Sequence, residues 1–262
     1  MTEMDGEPTW ESAVERFVAD YDSLYGQVRT EVVHAHLRAH LPEPPATLVD
    51  VGGGAGHQAI PLAREGYEVT AVDPSEAMLA EAARAREAES PEVARRLHLV
   101  RAEGHTAPAL LGERRYDGVL CHGVLLYLDD PEPMVAALCA LVRPGGVVSI
   151  VTKNARTLAM RPGRRGDWKR AMEAFDSARE VNVLGIETRA DTVDGISRLL
   201  LRHGVDPVAW YGVRLFTEEW GRDQPRTDSG DAVFAAELEA SRRDPYRQLS
   251  RLFHLVGVRR GA

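Results

Sequence analysis

The stretch Asp50-Val51-Gly52-Gly53-Gly54-Ala55-Gly56 follows a strand-like Thr47-Leu48-Val49 and opens a helix-like run from His57 to Glu65, which commits this region to a strand, a glycine turn and a helix. Glycines permit turns and close approaches that a Cβ would block, so a ligand can lie against the main chain at the start of the helix. The next strand-like run, Tyr67-Glu68-Val69-Thr70-Ala71-Val72, ends in Asp73, a carboxylate placed to accept both hydroxyls of a ribose. Strand and helix keep alternating to Thr152, with Leu97 to Arg101, Tyr116 to Cys121 and Val147 to Thr152 as the third, fourth and fifth strands. This pattern predicts an α/β fold: a doubly wound, mostly parallel sheet with its ligand at the carboxyl ends of the strands.

A glycine turn also serves nicotinamide dinucleotides, through the spacing Gly-x-Gly-x-x-Gly. Here the spacing is Gly-x-Gly-x-Gly from Gly52 to Gly56, and His57 stands where the third glycine of the dinucleotide pattern belongs. Asp50 adds a carboxylate close to where a pyrophosphate would have to sit. A cation suits that carboxylate better on Coulombic grounds, and S-adenosylmethionine carries an ammonium and a sulfonium.

On these residues the chain resembles a class I S-adenosylmethionine-dependent methyltransferase. Asp73-Pro74-Ser75-Glu76-Ala77-Met78-Leu79 is similar to the turn after the second strand in that class, where Ser75 can also cap the next helix. Ala102-Glu103 follows the third strand where the class contacts the adenine, and Arg143-Pro144-Gly145-Gly146 resembles the turn into strand five. The resemblance implies a seven-stranded sheet. Its last strand, Leu252 to Val258, would run antiparallel beside a sixth, Pro207 to Val213, across a long polar and helical connection.

Ahead of the sheet, Trp10 to Tyr21 and Val28 to Leu41 have helical periodicity, and Pro42-Glu43-Pro44-Pro45 marks a boundary. Residues 1–45 therefore read as a helical cap on a cofactor-binding domain at 46–262. Lys153 to Arg189 lacks a clean core pattern and is expected to be a helical insertion over the site, at about 153–190. Thr192 to His203 resumes an amphipathic helix that Gly204 ends, and the composition of Gln224 to Gly230 predicts a loop. The two cysteines, Cys121 and Cys139, read as small buried core residues. Met1 to Pro8 lacks the basic and apolar blocks of a signal peptide, and no apolar run is long enough to cross a bilayer, so a soluble cytoplasmic protein is expected.

A net charge of -8 offers no general attraction to nucleic acid, yet local charge differs. Lys153, Arg156, Arg161, Arg164, Arg165, Lys169 and Arg170 form a basic run that contains Trp168 and a single acid, Asp167. Such a run could receive phosphates and stack a base, or it could be a solvated insertion. His34, His36 and His40 cluster on one helix, but residues two apart point to different faces and no paired Cys or acidic ligand accompanies them. They read as exposed histidines, with no metal site.

Nearly the whole chain further resembles the bacterial tRNA 5-carboxymethoxyuridine methyltransferases, which esterify the carboxylate of a modified wobble uridine. The matching segments are Gly26-Gln27-Val28-Arg29, Asp50 to Gly54, His122-Gly123-Val124-Leu125, Lys153-Asn154-Ala155, Gly212 to Phe216 and Asp244-Pro245-Tyr246. The resemblance implies cofactor contacts at Arg29, Gly52, Gly53, Asp73, Ala102, Glu103 and His122, with Arg29 on the methionyl carboxylate; Asp50 and Gly54 of the glycine turn are further candidates for the cofactor. It departs at Val181-Asn182-Val183-Leu184-Gly185-Ile186, where an apolar stretch replaces an expected lysine-rich run and suits a lid over a smaller, greasier substrate.

A carboxylate acceptor needs no general base. A hydroxyl or amine does, and His122 and Tyr127 are the nearest candidates by strand position. Asn154, Arg156 and Arg214 are the candidates for orienting the substrate. Three functions remain open: methylation of tRNA, methylation of a small-molecule carboxylate or hydroxyl, and a noncatalytic cofactor-binding module. Oligomeric state is not legible.

Overall fold

The computed structural model describes residues 10–182, 185–219 and 230–261. Two helices, α1 (Trp10–Asp22) and α2 (Leu24–Arg38), precede the first strand, β1 (Thr47–Val51). The chain then alternates through α3 (Ala59–Arg64), β2 (Glu68–Asp73), α4 (Glu76–Glu87), α5 (Pro91–Arg96), β3 (Leu97–Arg101), α6 (Ala107–Leu111), β4 (Tyr116–His122), α7 (Glu132–Leu141) and β5 (Val142–Lys153). Beyond β5 come α8 (Met160–Arg164), α9 (Trp168–Phe175), the short strands β6 (Arg179–Val181) and β7 (Glu187–Arg189), and α10 (Val193–Arg202). The strands β8 (Val205–Val213) and β9 (Leu252–Arg259) close the fold, with α11 (Gly230–Arg242) and α12 (Tyr246–Leu249) between them.

The main sheet has seven strands in the order β3-β2-β1-β4-β5-β9-β8. It is parallel except at β9, which pairs antiparallel with both β5 and β8. The chain winds outward from β1 to β3 and then returns to the other side of β1 with β4. The strand ends therefore part between β1 and β4, and a crevice opens there.

Both faces of the sheet are covered, so most strands are apolar on both sides. On one face, Val49, Val51, Val119 and Ile150 pack against Met134, Val135, Leu138 and Leu141 of α7 and Ile196 and Leu200 of α10. On the other, Leu48, Val69, Leu120 and Val151 pack against Val33 and Leu37 of α2 and Leu62 and Ala63 of α3. Each of these leucines contributes roughly 1.5–3 kcal/mol on burial.

Local caps follow the sequence. Ser75 accepts from Met78 N at 3.3 Å to start α4, Thr192 accepts from Gly195 N at 3.0 Å to start α10, and Gly204 follows α10 with φ +76°. Cys121 and Cys139 are buried free thiols.

Several expectations need correction. β1 runs one residue past Asp50, to Val51, and α3 begins at Ala59 rather than His57. The expected turn at Arg143 to Gly146 is a bulge inside β5, where the register to β4 shifts and Gly145 takes φ +75°. The insertion is not all helix: Arg179 to Arg189 contains an antiparallel β6–β7 hairpin. Asn182 pins it, its Oδ1 accepting from Ile186 N at 3.0 Å. Of the proposed lid, Val183 and Leu184 lie outside the described residues, as do residues 224–229 of the expected loop.

One buried carboxylate organises the chain after β8. Glu237 of α11 is only 2% exposed and accepts from Leu215 N, Phe216 N, Thr217 N and Thr217 Oγ1 at 2.7–3.0 Å. This clamp follows Arg214, the one non-glycine residue with positive φ among the described residues, at 63°. Glu237→Ala is expected to lower unfolding free energy by about 3 kcal/mol, since all of these bonds go unmade. Glu237→Gln should cost less, and urea denaturation measures both.

Candidate active site

The crevice between β1 and β4 widens into a cavity of about 420 Å³. Its floor is the glycine turn. Gly52 N and Gly53 N both donate to Val72 O, at 2.7 and 3.2 Å, which draws the turn onto the end of β2. Gly52 has φ +76°, and a Cβ there would collide with Val124 Cγ2, so a side chain at this position would suffer both backbone strain and overlap.

Asp73 ends β2 at the edge of this turn. Its Oδ2 accepts from Gly54 N and its Oδ1 from Ser75 N, each at 2.9 Å, which fixes the carboxylate plane while leaving lone pairs toward the cavity. Burial raises its pKa, and the two backbone bonds oppose that shift. Glu103 lines the same cavity. Ala102 does not: its N–H donates to Asp73 O at 3.2 Å.

Arg29, Asp50 and His122 line the same cavity. Arg29, 9% exposed, stacks over Tyr21 with its guanidinium carbon 4.9 Å from the ring centroid. Burial, and then the Asp73 carboxylate, push Asp50 up to about 7, against the pull of Arg29. Burial, and then the Arg29 charge, bring His122 down to about 3, so its ring is neutral. Glycine backbone, a fixed carboxylate, and an acid within reach of an arginine suit a nucleoside joined to an amino acid that bears extra positive charge.

Residues 49–148 match the family model described as a methyltransferase domain. The chain is 27% identical over 239 residues to the tRNA 5-carboxymethoxyuridine methyltransferase of Escherichia coli (strain K12), covering 90% of each chain. It is 34% identical over 122 residues to the ubiquinone biosynthesis O-methyltransferase of Caulobacter vibrioides, covering 46% of this chain and 45% of that one. Among solved structures, magnesium protoporphyrin IX methyltransferase from Synechocystis with bound S-adenosylhomocysteine superposes with a TM-score of 0.59 at 19% identity, over 97% of this chain and 90% of that one. The chain has the class I methyltransferase fold and is an S-adenosylmethionine-dependent methyltransferase.

The methyltransferase has a second chamber, of about 160 Å³, which shares Phe17, Tyr21, Arg29, Gly123 and Tyr127 with the cofactor cavity. Its far wall is ionic. Lys153 Nζ lies 2.6 Å from Glu180 Oε1, and Arg251 also pairs with Glu180. Arg161 and Arg214 grip the two oxygens of Glu218 at 2.6 and 2.9 Å, while Arg251 Nε approaches Glu218 Oε1 at 3.4 Å. Arg214 lies flat on Tyr25, 3.7 Å from its centroid. Lys153, Arg161, Arg214 and Arg251 thus share Glu180 and Glu218, and Asp20 lines the same chamber.

Crowded, buried cations depress one another. Lys153 is lowered to about 7 by burial and then by Arg251 and Arg161, and Arg251 is lowered to about 9 by burial and then by Arg161. Arg161 Nε, Arg214 Nε and Arg251 Nη1, and equally Glu218 Oε1 and Oε2, are buried without a geometrically good hydrogen bond among the described residues, so this part of the cluster is held by charge rather than by directed bonds.

Of the residues expected to orient substrate, Arg214 lines this chamber, whereas Asn154 and Arg156 do not. Asn154 is 4% exposed and ties Gln248 O and Ser250 O to the turn after β5, and Arg156 pairs with Asp194 at 2.9 Å on the surface. Tyr127 lies on the shared wall, its pKa raised chiefly by burial. Glu180, Glu218 and Arg251 carry no local signal, because their partners come from distant segments of the chain. Tyr21 and Tyr25 had one available signal, their position just before Gly26 to Arg29.

Gly52→Ala is expected to abolish binding of S-adenosylhomocysteine, and Asp73→Asn to weaken it by about tenfold, as read by isothermal titration. Asp50 holds its proton below about pH 7 in the ligand-free protein and loses it above. Affinity for the cationic cofactor should therefore rise with pH through that value, and Asp50→Asn should flatten the dependence.

Proposed function

We propose that the methyltransferase esterifies a carboxylate, and that this carboxylate belongs to a modified wobble uridine of tRNA. The observation that carries the first part is the chamber beside the cofactor cavity, into which Lys153, Arg161, Arg214 and Arg251 converge. An anion entering beside these groups would relieve their mutual repulsion, which already lowers Lys153 and Arg251.

The absence of a ready base points the same way. His122 is a weak base at about 3, and Tyr127 is held protonated by burial. Neither suits removal of a proton from a hydroxyl or amine at neutral pH, and a carboxylate requires none.

The cofactor supplies an electrophilic methyl on a sulfonium. The residues described here would hold and orient the two partners: Asp73 the ribose, Arg29 the methionyl carboxylate, and the guanidinium cluster the acceptor across the wall of Tyr21, Gly123 and Tyr127. Alignment and exclusion of water can supply on the order of 7 kcal/mol or more, without a covalent enzyme intermediate.

What supports the RNA part is twofold. The E. coli relative, similar along 90% of this chain, is named for a tRNA nucleoside. In the α8–α9 segment, which begins next to the chamber residue Arg161, Arg164, Arg165, Lys169 and Arg170 are exposed, as is Trp168 at 71%. That is a combination of cations and a stacking surface suited to an anticodon loop. A free carboxylic acid metabolite is the second reading, favoured by a chamber of about 160 Å³ that admits an acid headgroup on any carrier.

Methyl transfer from labelled S-adenosylmethionine to separated bulk tRNA and small-metabolite fractions tests both, with Asp73→Ala as the control for dependence on the cofactor cavity. Label in tRNA supports the RNA reading; label confined to metabolites replaces it with the second. Arg251→Gln and Arg161→Gln are expected to raise KM for the acceptor about tenfold while leaving S-adenosylhomocysteine affinity unchanged. Equal loss of both affinities would remove the chamber from the acceptor site.

A further inference from the structure

A line of buried polar side chains crosses the sheet beneath α2. His122 Nε2 lies 2.8 Å from Ser149 Oγ, and Ser149 Oγ lies 2.7 Å from His254 Nε2. His254 Nδ1 lies 3.2 Å from His36 Nδ1, and His36 Nε2 lies 2.8 Å from Ser241 Oγ. The line ends where Ser241 Oγ contacts the main-chain carbonyl of Leu238 at 2.7 Å. Ser149, His254, His36 and Ser241 are all at most 1% exposed. His36, expected on the surface, is instead one of the most buried polar residues, stacked on Tyr211 with ring centroids 4.0 Å apart.

The carbonyl at the end sets the direction of every bond. A carbonyl only accepts, so the single hydroxyl proton of Ser241 points at Leu238 O, and Ser241 Oγ must accept from His36 Nε2–H. His36 is neutral, because burial, and then the Arg242 charge, bring its pKa down to about 3. A neutral imidazole has one N–H, so His36 Nδ1 is a lone pair and His254 Nδ1–H donates to it.

His254 is buried and its pKa is well below the ordinary value, so its Nε2 is in turn a lone pair, and the Ser149 hydroxyl donates to it. Ser149 Oγ then accepts from His122 Nε2–H. What remains on His122, which lines the cofactor cavity, is an unprotonated Nδ1 with no partner among the described residues.

We infer that Ser149, His254, His36 and Ser241 are positioning residues that lock His122 in the Nε2–H tautomer, so that its Nδ1 accepts a hydrogen bond from the α-ammonium of the cofactor. This rests on the cofactor assignment above. Arg29, which lines the same cavity, offers only donors, and His122 offers only an acceptor. The pair distinguishes the two charged ends of an amino acid: the carboxylate goes to the guanidinium and the ammonium to the imidazole. A ring free to reverse its tautomer would present an N–H to the ammonium and lose that discrimination.

The ligand-free full-length chain, labelled with ¹⁵N-histidine, reports the tautomer directly through long-range ¹H–¹⁵N correlations, with His122 assigned by the signal lost in His122→Gln. The Nε2–H pattern is expected for His122, and Ser149→Ala and Ser241→Ala should each weaken or reverse it. In parallel, isothermal titration compares S-adenosylhomocysteine with its analogue lacking the α-amino group. The preference for the amino form should be about tenfold or more in the natural chain and should shrink in both variants.

A purely structural role would lower thermal stability while leaving the tautomer and the preference unchanged. That result, or an Nδ1–H pattern in the natural chain, overturns the inference. Should Ser149→Ala fail to fold, the natural chain and Ser241→Ala still decide. Failure of S-adenosylhomocysteine to bind at all would instead count against the cofactor assignment, since the tautomer is read without ligand.

Discussion

Two amide protons on one carbonyl hold the site together. Gly52 N and Gly53 N both reach Val72 O, and this anchors the turn after β1 to the last residues of β2. The anchor brings Gly54 N within 2.9 Å of Asp73, so that the glycine turn and the Asp73 carboxylate form one rigid unit. The arrangement is possible only because β1 and β2 are parallel neighbours in register, with Val51 opposite Val72. It also requires β4 to lie on the other side of β1, which opens the crevice above the turn. The topology of the sheet and the chemistry of the cofactor cavity are thus the same fact at two scales.

Charge is divided along the site in a way that matches two partners of opposite sign. The cofactor cavity holds Asp50, Asp73 and Glu103, together with Arg29; the neighbouring chamber holds the cluster of Lys153, Arg161, Arg214 and Arg251. A buried carboxylate pushed up to about 7 and a buried ammonium lowered to about 7 are each uncomfortable alone. A cation in one compartment and an anion in the other would favour the charged form of both. The site therefore gains from being filled on both sides at once, and the shared wall of Tyr21, Gly123 and Tyr127 is where the two ligands would meet.

The sheet and the cofactor half were legible because they are local. A glycine turn, an acid at the next strand end and the alternation of strand and helix are read within short windows, and each window returned nearly the right element. Boundaries suffered where backbone geometry departs from composition: the glycines of Arg143 to Gly146 suggested a turn, yet hydrogen bonding to β4 carries the strand through them as a bulge. The acceptor side was less legible because its parts meet only in three dimensions. Glu180 comes from the β6–β7 hairpin, Arg251 from just before β9, and Lys153 from the end of β5. Asn154 and Arg156 misled for the opposite reason: they adjoin the right segment, but their own nearest partners, Gln248 O, Ser250 O and Asp194, engage them elsewhere.

The helix α2 shows how both kinds of signal coexist in one element. Its buried positions include Val28, Arg29, Val32, Val33, His36 and Leu37, an ordinary core stripe in which two of the places belong to polar residues. Arg29 and His36 are seven apart, two helical turns, and so point from the same side of the helix toward the sheet. One arrives at the cofactor cavity and the other at the buried line that ends at His122 on the rim of that cavity. Read for metal ligands, the histidines of α2 lacked the spacing and the partners; read as polar intruders in an apolar stripe, His36 demanded a buried partner. A desolvated imidazole without hydrogen bonds would cost more than an apolar residue in the same place. The cap helices are therefore part of the cavity wall and not a separate layer upon it, because α2 places Arg29 in the cavity directly and reaches His122 through His36, His254 and Ser149.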